Sequence, residues 1–197
     1  MEELYTARAT LRDVLRRRGY LLQPSEQSES YGDMCNTVAV SPGALTMVAM
    51  HGAARTLLAV VFHLPAEKVG IACMRHYSKA LKDAAIGRAI LVTQHGLTHS
   101  SLKKLAKKRV HLHMEHFTVR ALAVNILEHH LVPAHEALVG EERAAFLGRF
   151  RAEQLPCILS TDVVVRLLGF RVGDVLRITR PDFAACAAVM YRRVVDV

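Results

Sequence analysis

Residues 124–180 read VNILEHHLVPAHEALVGEERAAFLGRFRAEQLPCILSTDVVVRLLGFRVGDVLRITR, and their reading decides the fold of the second part of the chain. Within them "HHLVPAHEALVGEE", residues 129–142, packs three histidines and three carboxylates into fourteen positions. Zinc needs converging ligands, which on a helix means i,i+4 spacing and otherwise a hairpin that joins two pairs. His130 and His135 stand five apart with Pro133 between them, and proline biases its predecessor toward extended backbone, so the two imidazoles cannot share a helical face. The stretch therefore reads as a strand end and a turn with partly exposed histidines. No metal site is expected. Before it, "VRALAVNIL", residues 119–127, reads as a strand. After it, Gly140 caps a helix over 141–150 whose first turn holds Glu141 and Glu142, where the helix dipole favours negative charge. Asp162 is placed to cap a short helix ending at Gly169. "VGDVLRITR" (172–180) and "AAVMYRRVV" (187–195) read as a hairpin joined around Pro181 and Asp182.

Working outward, the N-terminal part has a different texture. Leu4, Leu11, Val14 and Leu15 mark one side of an amphipathic helix ending near Arg18, with Arg8, Arg12 and Arg16 stepping by four along another side and Gly19 as the stop. "QPSEQSESYGD", residues 23–33, is polar and reads as a surface loop. "LTMVAM" and "TLLAVVFHL" are apolar runs of strand length. A helix is expected from Pro65 to residue 84, with Val69, Ala72, Cys73, His76, Ala80 and Leu81 as its inner stripe. "GRAILVTQHG" reads as a buried strand closed by Gly96. "THSSLKKLAKKR", residues 98–109, reads as a short helix with Thr98 or Ser100 as N-cap and with Leu102 and Leu105 turned inward. Strands interleaved with helices indicate an α/β layer structure for this part.

Charge separates the two parts. Of 26 Lys plus Arg and 18 Asp plus Glu, residues 1–123 hold 17 and 9, and residues 124–197 hold 9 and 9. The whole excess of +8 precedes residue 124, which suits a polyanion beside the first part and protein beside the second. No window approaches eighteen uninterrupted apolar residues, and the opening MEELYTARATLRDVLRRRGY is charged where a signal peptide is apolar, so an intracellular, soluble protein is expected. Cys35, Cys73, Cys157 and Cys186 are too scattered for C-x-x-C pairs and read as reduced, mostly buried thiols.

Catalytic chemistry finds little support. The phosphate-loop, dinucleotide and nucleophile-elbow motifs are all missing from the sequence. His111, His113 and His116 in "HLHMEHF" lack a cysteine or a well-spaced carboxylate, and Cys73 with His76 falls on the inner stripe, away from activating charge. No catalytic residue, metal or cofactor is expected.

The ordered residues of 124–197 resemble the assembly domain of the fifth shared subunit of eukaryotic nuclear RNA polymerases, a family with a shorter archaeal homologue. The resemblance runs through H-x-L-V-P-x-H at His129, Leu131, Val132, Pro133 and His135, then Leu138, Glu141 and Glu142, then Gln154, Leu155, Pro156 and Ile158. It continues through Asp162, Val164, Arg166 and Gly169, and closes with Gly173, Val175, Ile178, Arg180, Tyr191 and Arg192. The N-terminal part is similar, more loosely, to the eukaryotic jaw domain of the same family, through "LRDVLRRRGYLL", "EKVGIACMRHY" and "RAILVTQHGLTHSSLKKL". The length excludes the archaeal version, which lacks a jaw.

The resemblance implies an α+β protein of two domains. A nuclease-like layered jaw without an active site covers residues 1–121, and a small mixed-sheet assembly domain covers 122–197. It implies a non-catalytic polymerase subunit in the nucleus, docked on the largest subunit, with its jaw facing downstream duplex DNA without reading sequence. Thr98, His99, Ser100, Ser101, Lys103, Lys104 and Lys107 are the DNA-proximal residues on this reading. His129, Pro133, His135, Pro156, Asp162, Arg166, Gly169, Arg180, Tyr191 and Arg192 are interface or fold-corner residues. Departures are confined to particular positions: Val163, Val165 and Leu167 replace proline, alanine and tyrosine, and residues 182–188 lose the family's S-E-T-x-G turn. These open the alternative of a copy dedicated to RNA polymerase I, with the nucleolus as its place. A free-standing basic DNA-binding or nuclease-like protein is the competing reading, but Glu67 and Asp83 do not form the acid cluster a nuclease needs.

Overall fold

The computed structural model describes residues 1–27, 29–40, 45–65, 67–106, 112–180 and 188–196. The chain divides into two compact units, Met1–Val124 and Asn125–Val197. Both mix helix and strand, so the fold is α+β. Among the described residues no helix is long and apolar enough to cross a membrane.

The first unit opens with α1 (Glu2–Arg17), whose Leu4, Ala7, Leu11, Val14 and Leu15 are buried at helical spacing. Gly19 ends it in the left-handed region at φ +79, with its amide on the Arg16 carbonyl at 2.9 Å. Of the arginine row on its other side, Arg8 and Arg12 are buried. The Arg8 guanidinium donates to Glu29 and to the Leu45 carbonyl and lies 5.3 Å from the Phe62 ring centroid, while Arg12 donates to the Glu26 carbonyl. A cation goes inside when partners replace its water.

The polar stretch read as a loop instead carries α2 (Pro24–Gln27) and the start of α3 (Tyr31–Val40), after the two-residue strand β1 (Tyr20–Leu21). The cause is local. Ser30 Oγ accepts the Asp33 amide at 3.2 Å and Asp33 Oδ2 accepts the Ser30 amide at 3.2 Å, a reciprocal cap with aspartate in the usual glutamate place.

Strands β2 (Met47–His51) and β3 (Leu57–His63) lead to α4 (Ile71–Asp83), β4 (Arg88–Thr93), α5 (His99–Ala106), β5 (His113–Thr118) and α6 (Val119–Leu122). The sheet order is β1-β2-β3-β4-β5, antiparallel through β3 and parallel across β3, β4 and β5. Parallel neighbours need crossovers, and α4 and α5 supply them. Central β4 is buried at Ala89, Ile90, Leu91, Val92 and Thr93, which explains its unbroken apolar run.

Two expectations here are corrected. Helix α4 starts at Ile71 rather than Pro65, because Val69 is committed to a parallel bridge with Leu97. Its inner stripe is Met74 and Leu81 with half-buried Cys73, Tyr77 and Ser78, whereas Ala72, His76 and Ala80 are exposed. The strand expected over 119–127 is α6 followed by a 3₁₀ turn at Ile126–Glu128. Thr118 and Asn125 cap these with side-chain oxygens that accept the Ala121 and Leu127 amides at 3.2 Å each, and Val119 and Leu122 bury on one side.

The second unit holds β6 (Ala134–Ala137), α7 (Gly140–Arg149), β7 (Cys157–Leu159), α8 (Val163–Leu168), β8 (Val175–Arg180) and β9 (Ala188–Val195). Its sheet order is β6-β8-β9-β7, with the expected antiparallel β8–β9 pairing at the centre and β7 parallel to β9. Alternation along β8 and β9 gives the sheet two faces. On one, Leu176, Ile178, Met190 and Val194 pack with Val165 of α8. On the other, Arg177 and Tyr191 meet Glu142 and Phe146 of α7. The turn around Pro181 and Asp182 and Cys186 lie outside the described residues. Cys35 and Cys73 are half-buried, but Cys157 is exposed, contrary to the expected buried thiol.

Candidate functional site

In the second unit most of the singled-out residues shape the chain, and a few stand exposed. At the turn, His129 Nδ1 accepts the Leu131 amide at 3.2 Å and its ring stacks on His130 at 4.6 Å. His135 lies 2.8 Å through Nδ1 from the Pro133 carbonyl, opposite Ile178 in β8. These nitrogens serve backbone geometry. Among the described residues no three His, Cys, Asp or Glu side chains gather as a metal site would require.

Asp162 Oδ1 accepts the Val164 and Val165 amides at 2.9 and 3.2 Å, which starts α8, and Gly169 ends it at φ +72. The Pro156 carbonyl accepts the Arg193 amide at 2.9 Å and so registers β7 on β9. By contrast Arg166 and Arg180 are exposed, at α8 and at the end of β8. Arg192 reaches across to the Cys157 carbonyl at 3.4 Å.

Tyr191 belongs to an arrangement that spacing alone did not reveal. Its ring lies 4.3 Å from that of Phe146, which in turn lies 5.0 Å from Phe150. The i,i+4 placement of the two phenylalanines was the available signal, because such residues stack on one helix face. Helix α7 nevertheless has no buried residue, and Phe150 is 53% exposed. Leu131, Val139, Leu159, Val163, Val172 and Val189 are also exposed in this unit.

A second missed feature is ionic. Arg177 donates to Glu136 at 2.6 Å and to Glu142 at 2.7 Å, joining β6, β8 and α7. Hydrogen bonding to Glu136, then the Glu142 charge, pushes its pKa up. Glu142 thus has an ion-pair duty beyond the dipole role expected of it.

In the first unit, the loop entering α5 folds inward more than expected. The Val69 carbonyl accepts the Thr98 amide at 3.1 Å, the Thr98 hydroxyl at 3.3 Å and the Ser101 hydroxyl at 2.8 Å, and Ser101 is fully buried. These two hydroxyls therefore hold the loop instead of offering themselves to a phosphate. His99, Ser100 and Lys103 are exposed, whereas the Lys104 ammonium is buried. Leu105 packs on Val69, Met74 and Leu91 as expected, but Leu102 is 46% exposed. Lys107 and His111 lie outside the described residues. His113 is exposed at the start of β5, and His116, within the strand, lies 2.9 Å from Thr93 Oγ1.

Comparison with known proteins places this geometry. The family model "RNA polymerase Rpb5, C-terminal domain" matches residues 124–194. The chain is 33% identical to a Caenorhabditis briggsae protein named DNA-directed RNA polymerases I, II, and III subunit RPABC1, over 98% of this chain and 95% of that one. It is 32% identical to the Dictyostelium discoideum subunit of the same name, over 98% and 97%. It is 29% identical to the Arabidopsis thaliana DNA-directed RNA polymerase V subunit 5A, over 88% and 80%.

Proposed function

We propose, from the premise that this chain belongs to the RNA polymerase Rpb5 family, that its second unit anchors it to the largest polymerase subunit and its first unit serves as a jaw beside downstream duplex DNA. The chain is a subunit of a DNA-directed RNA polymerase. Its part is structural and non-catalytic, and its place is the nucleus.

The observation that carries the anchoring is α7, a ten-residue helix with no buried residue, beside the Phe146, Phe150 and Tyr191 rings. An isolated unit gains nothing by leaving that surface in water; a partner that covers it gains roughly 25 cal/mol per Å² of apolar area. The equal count of positive and negative side chains in residues 124–197 suits such a protein contact. The positive excess of residues 1–123 supports the jaw reading, with exposed Lys103 and His99 as the candidate phosphate neighbours.

The departures at Val163, Val165 and Leu167 and over residues 182–188 support a copy dedicated to one enzyme, RNA polymerase I, in the nucleolus. A relative named as a subunit of polymerase V supports such dedication. Affinity purification of the tagged full chain, with identification of the largest subunit that accompanies it, tests both levels. Recovery of the polymerase I largest subunit alone is expected. Recovery of all three would make the chain a shared subunit, and recovery of none would overturn the anchoring.

A further inference from the structure

β7 is the end strand of the second sheet. Its Cys157, Ile158 and Leu159 stand opposite Arg193, Val194 and Val195 in a parallel ladder. In a parallel ladder alternate residues turn both amide and carbonyl toward one neighbour. The Arg193 amide donates to the Pro156 carbonyl at 2.9 Å and the Ser160 amide to the Val195 carbonyl at 2.8 Å. Pro156, Ile158 and Ser160 therefore serve β9. The amides of Cys157 and Leu159 and the Cys157 carbonyl point to the open edge, while the Leu159 carbonyl accepts the Asp162 amide at 3.0 Å. The Cys157 and Leu159 side chains are exposed as well.

Open edges invite pairing with another chain, and proteins blunt them with charge. The opposite edge strand, β6, carries Glu136, tied to Arg177 at 2.6 Å. β7 carries no charge of its own, and three residues are too few to select a partner by backbone pairing alone. Two arginines supply the missing selectivity. Arg192 Nη1 lies 3.4 Å from the outward Cys157 carbonyl, over the line an added strand would follow. Arg193 is the register partner of Cys157, and its Nε is buried without a hydrogen-bond partner. Among the described residues neither guanidinium has a carboxylate partner. Asp196 stands at the far end of β7, where Ser160 Oγ donates to it at 2.8 Å. A buried guanidinium donor gains most from an ionised acceptor, which Arg can engage through two parallel bonds.

We propose that the open edge of β7 is a strand-addition site for an extended, carboxylate-bearing segment of the polymerase core. This rests on the reading of the chain as an anchored polymerase subunit and names one further contact through which it docks. The added strand pairs with the Cys157 and Leu159 amides and the Cys157 carbonyl, and its apolar side chain covers Leu159. Arg192 and Arg193, consecutive in β9, point to opposite faces, so one carboxylate of the strand takes Arg192 and the adjacent one takes the Nε of Arg193.

Hydrogen exchange on the full chain, free and within purified polymerase, reads the edge directly. Exchange in the segment 157–160 slows by about tenfold or more on incorporation if the amides of Cys157 and Leu159 become paired. Unchanged exchange there, in polymerase that contains the chain, overturns the proposal. Leu159→Pro gives a second test, since it deletes only an outward amide and leaves the bonds to β9. A folded Leu159→Pro chain should recover at least about tenfold less polymerase than wild type. Equal recovery overturns the proposal, and if the variant does not fold, the wild-type exchange decides. Should the wild-type chain recover no largest subunit, the anchoring reading fails and this inference fails with it.

Discussion

Phe146 of α7 and Tyr191 of β9 lie ring against ring at 4.3 Å with their planes 34° apart, and this contact seats α7 on the sheet. Because both rings remain half-exposed, the pair belongs at once to the fold and to the surface. Tyr191→Ala should lower the stability of the chain by about 2 kcal/mol, from lost area and lost ring contact, while Tyr191→Phe should stay near wild type. Thermal melting measures this. Arg180→Ala, at an exposed position, should melt within about 0.5 kcal/mol of wild type and yet recover less polymerase. A large drop in melting for Arg180→Ala would make it a fold residue instead.

Asp162 and Gly169 bracket α8, which packs Val165 into the core of the second unit. Asp162→Ala leaves the Val164 and Val165 amides without their acceptor and should cost about 1 kcal/mol. Gly169→Ala puts a Cβ at φ +72 and should cost about the same. Denaturant titration of each variant gives the numbers, and asparagine at 162 should restore most of the first loss.

Arg8 and Glu29 form an ion pair at 2.6 Å with side chains only 4% and 12% exposed. Breaking such a pair from one side leaves a charge without water or partner, so Glu29→Ala should destabilise by about 3 kcal/mol. Arg8→Met together with Glu29→Ala should be less damaging than Glu29→Ala alone. The reverse order in melting temperature would show that the Leu45 carbonyl contact carries Arg8 instead.

The lysines of α5 should not act alike. Lys103 is exposed, whereas the Lys104 ammonium is buried. If the segment meets DNA, Lys103→Ala in assembled polymerase should reduce the slope of log affinity against log salt by about 0.9, and Lys104→Ala should change it less. Equal slopes for wild type and Lys103→Ala would turn this face away from the nucleic acid.

Burial holds the His63 imidazole below its ordinary pKa of 6.5, with Nδ1 2.8 Å from the Tyr77 hydroxyl. The unfolded chain therefore takes up the proton first as pH falls. The neutral imidazole's stabilisation is present above pH 6.5 and is lost as pH falls through the lower folded value. Melting between pH 8 and 5 should show this loss, flattened in His63→Gln at the same positions on the pH axis.

The sequence determined those features whose cause lies within a few residues of themselves. Gly19 stops α1 and Asp162 starts α8 because a left-handed residue and a side-chain acceptor act on the adjacent turn. The run at Ala89–Thr93 could only be a strand buried on both faces, since no polar alternation interrupts it. The division of charge at residue 124 and the ordered motif from His129 to Arg192 were equally legible, and they led to the polymerase family.

What the tertiary structure decided depends on partners distant in sequence. Nothing near Arg8 in sequence marks it for burial; Glu29 and the Leu45 carbonyl, 21 and 37 positions away, take its guanidinium inside. Ser101 reads as a DNA-proximal side chain until the Val69 carbonyl, 32 positions away, takes its hydroxyl. Thr118 and Asn125 turned an apolar run into helical turns because Val119 and Leu122 found a buried seat there, and β6 and β7 are strands only because β8 and β9 lie beside them. Short apolar segments satisfy helix and strand alike, and only the hydrogen-bond partners and buried area supplied by the rest of the chain choose between them.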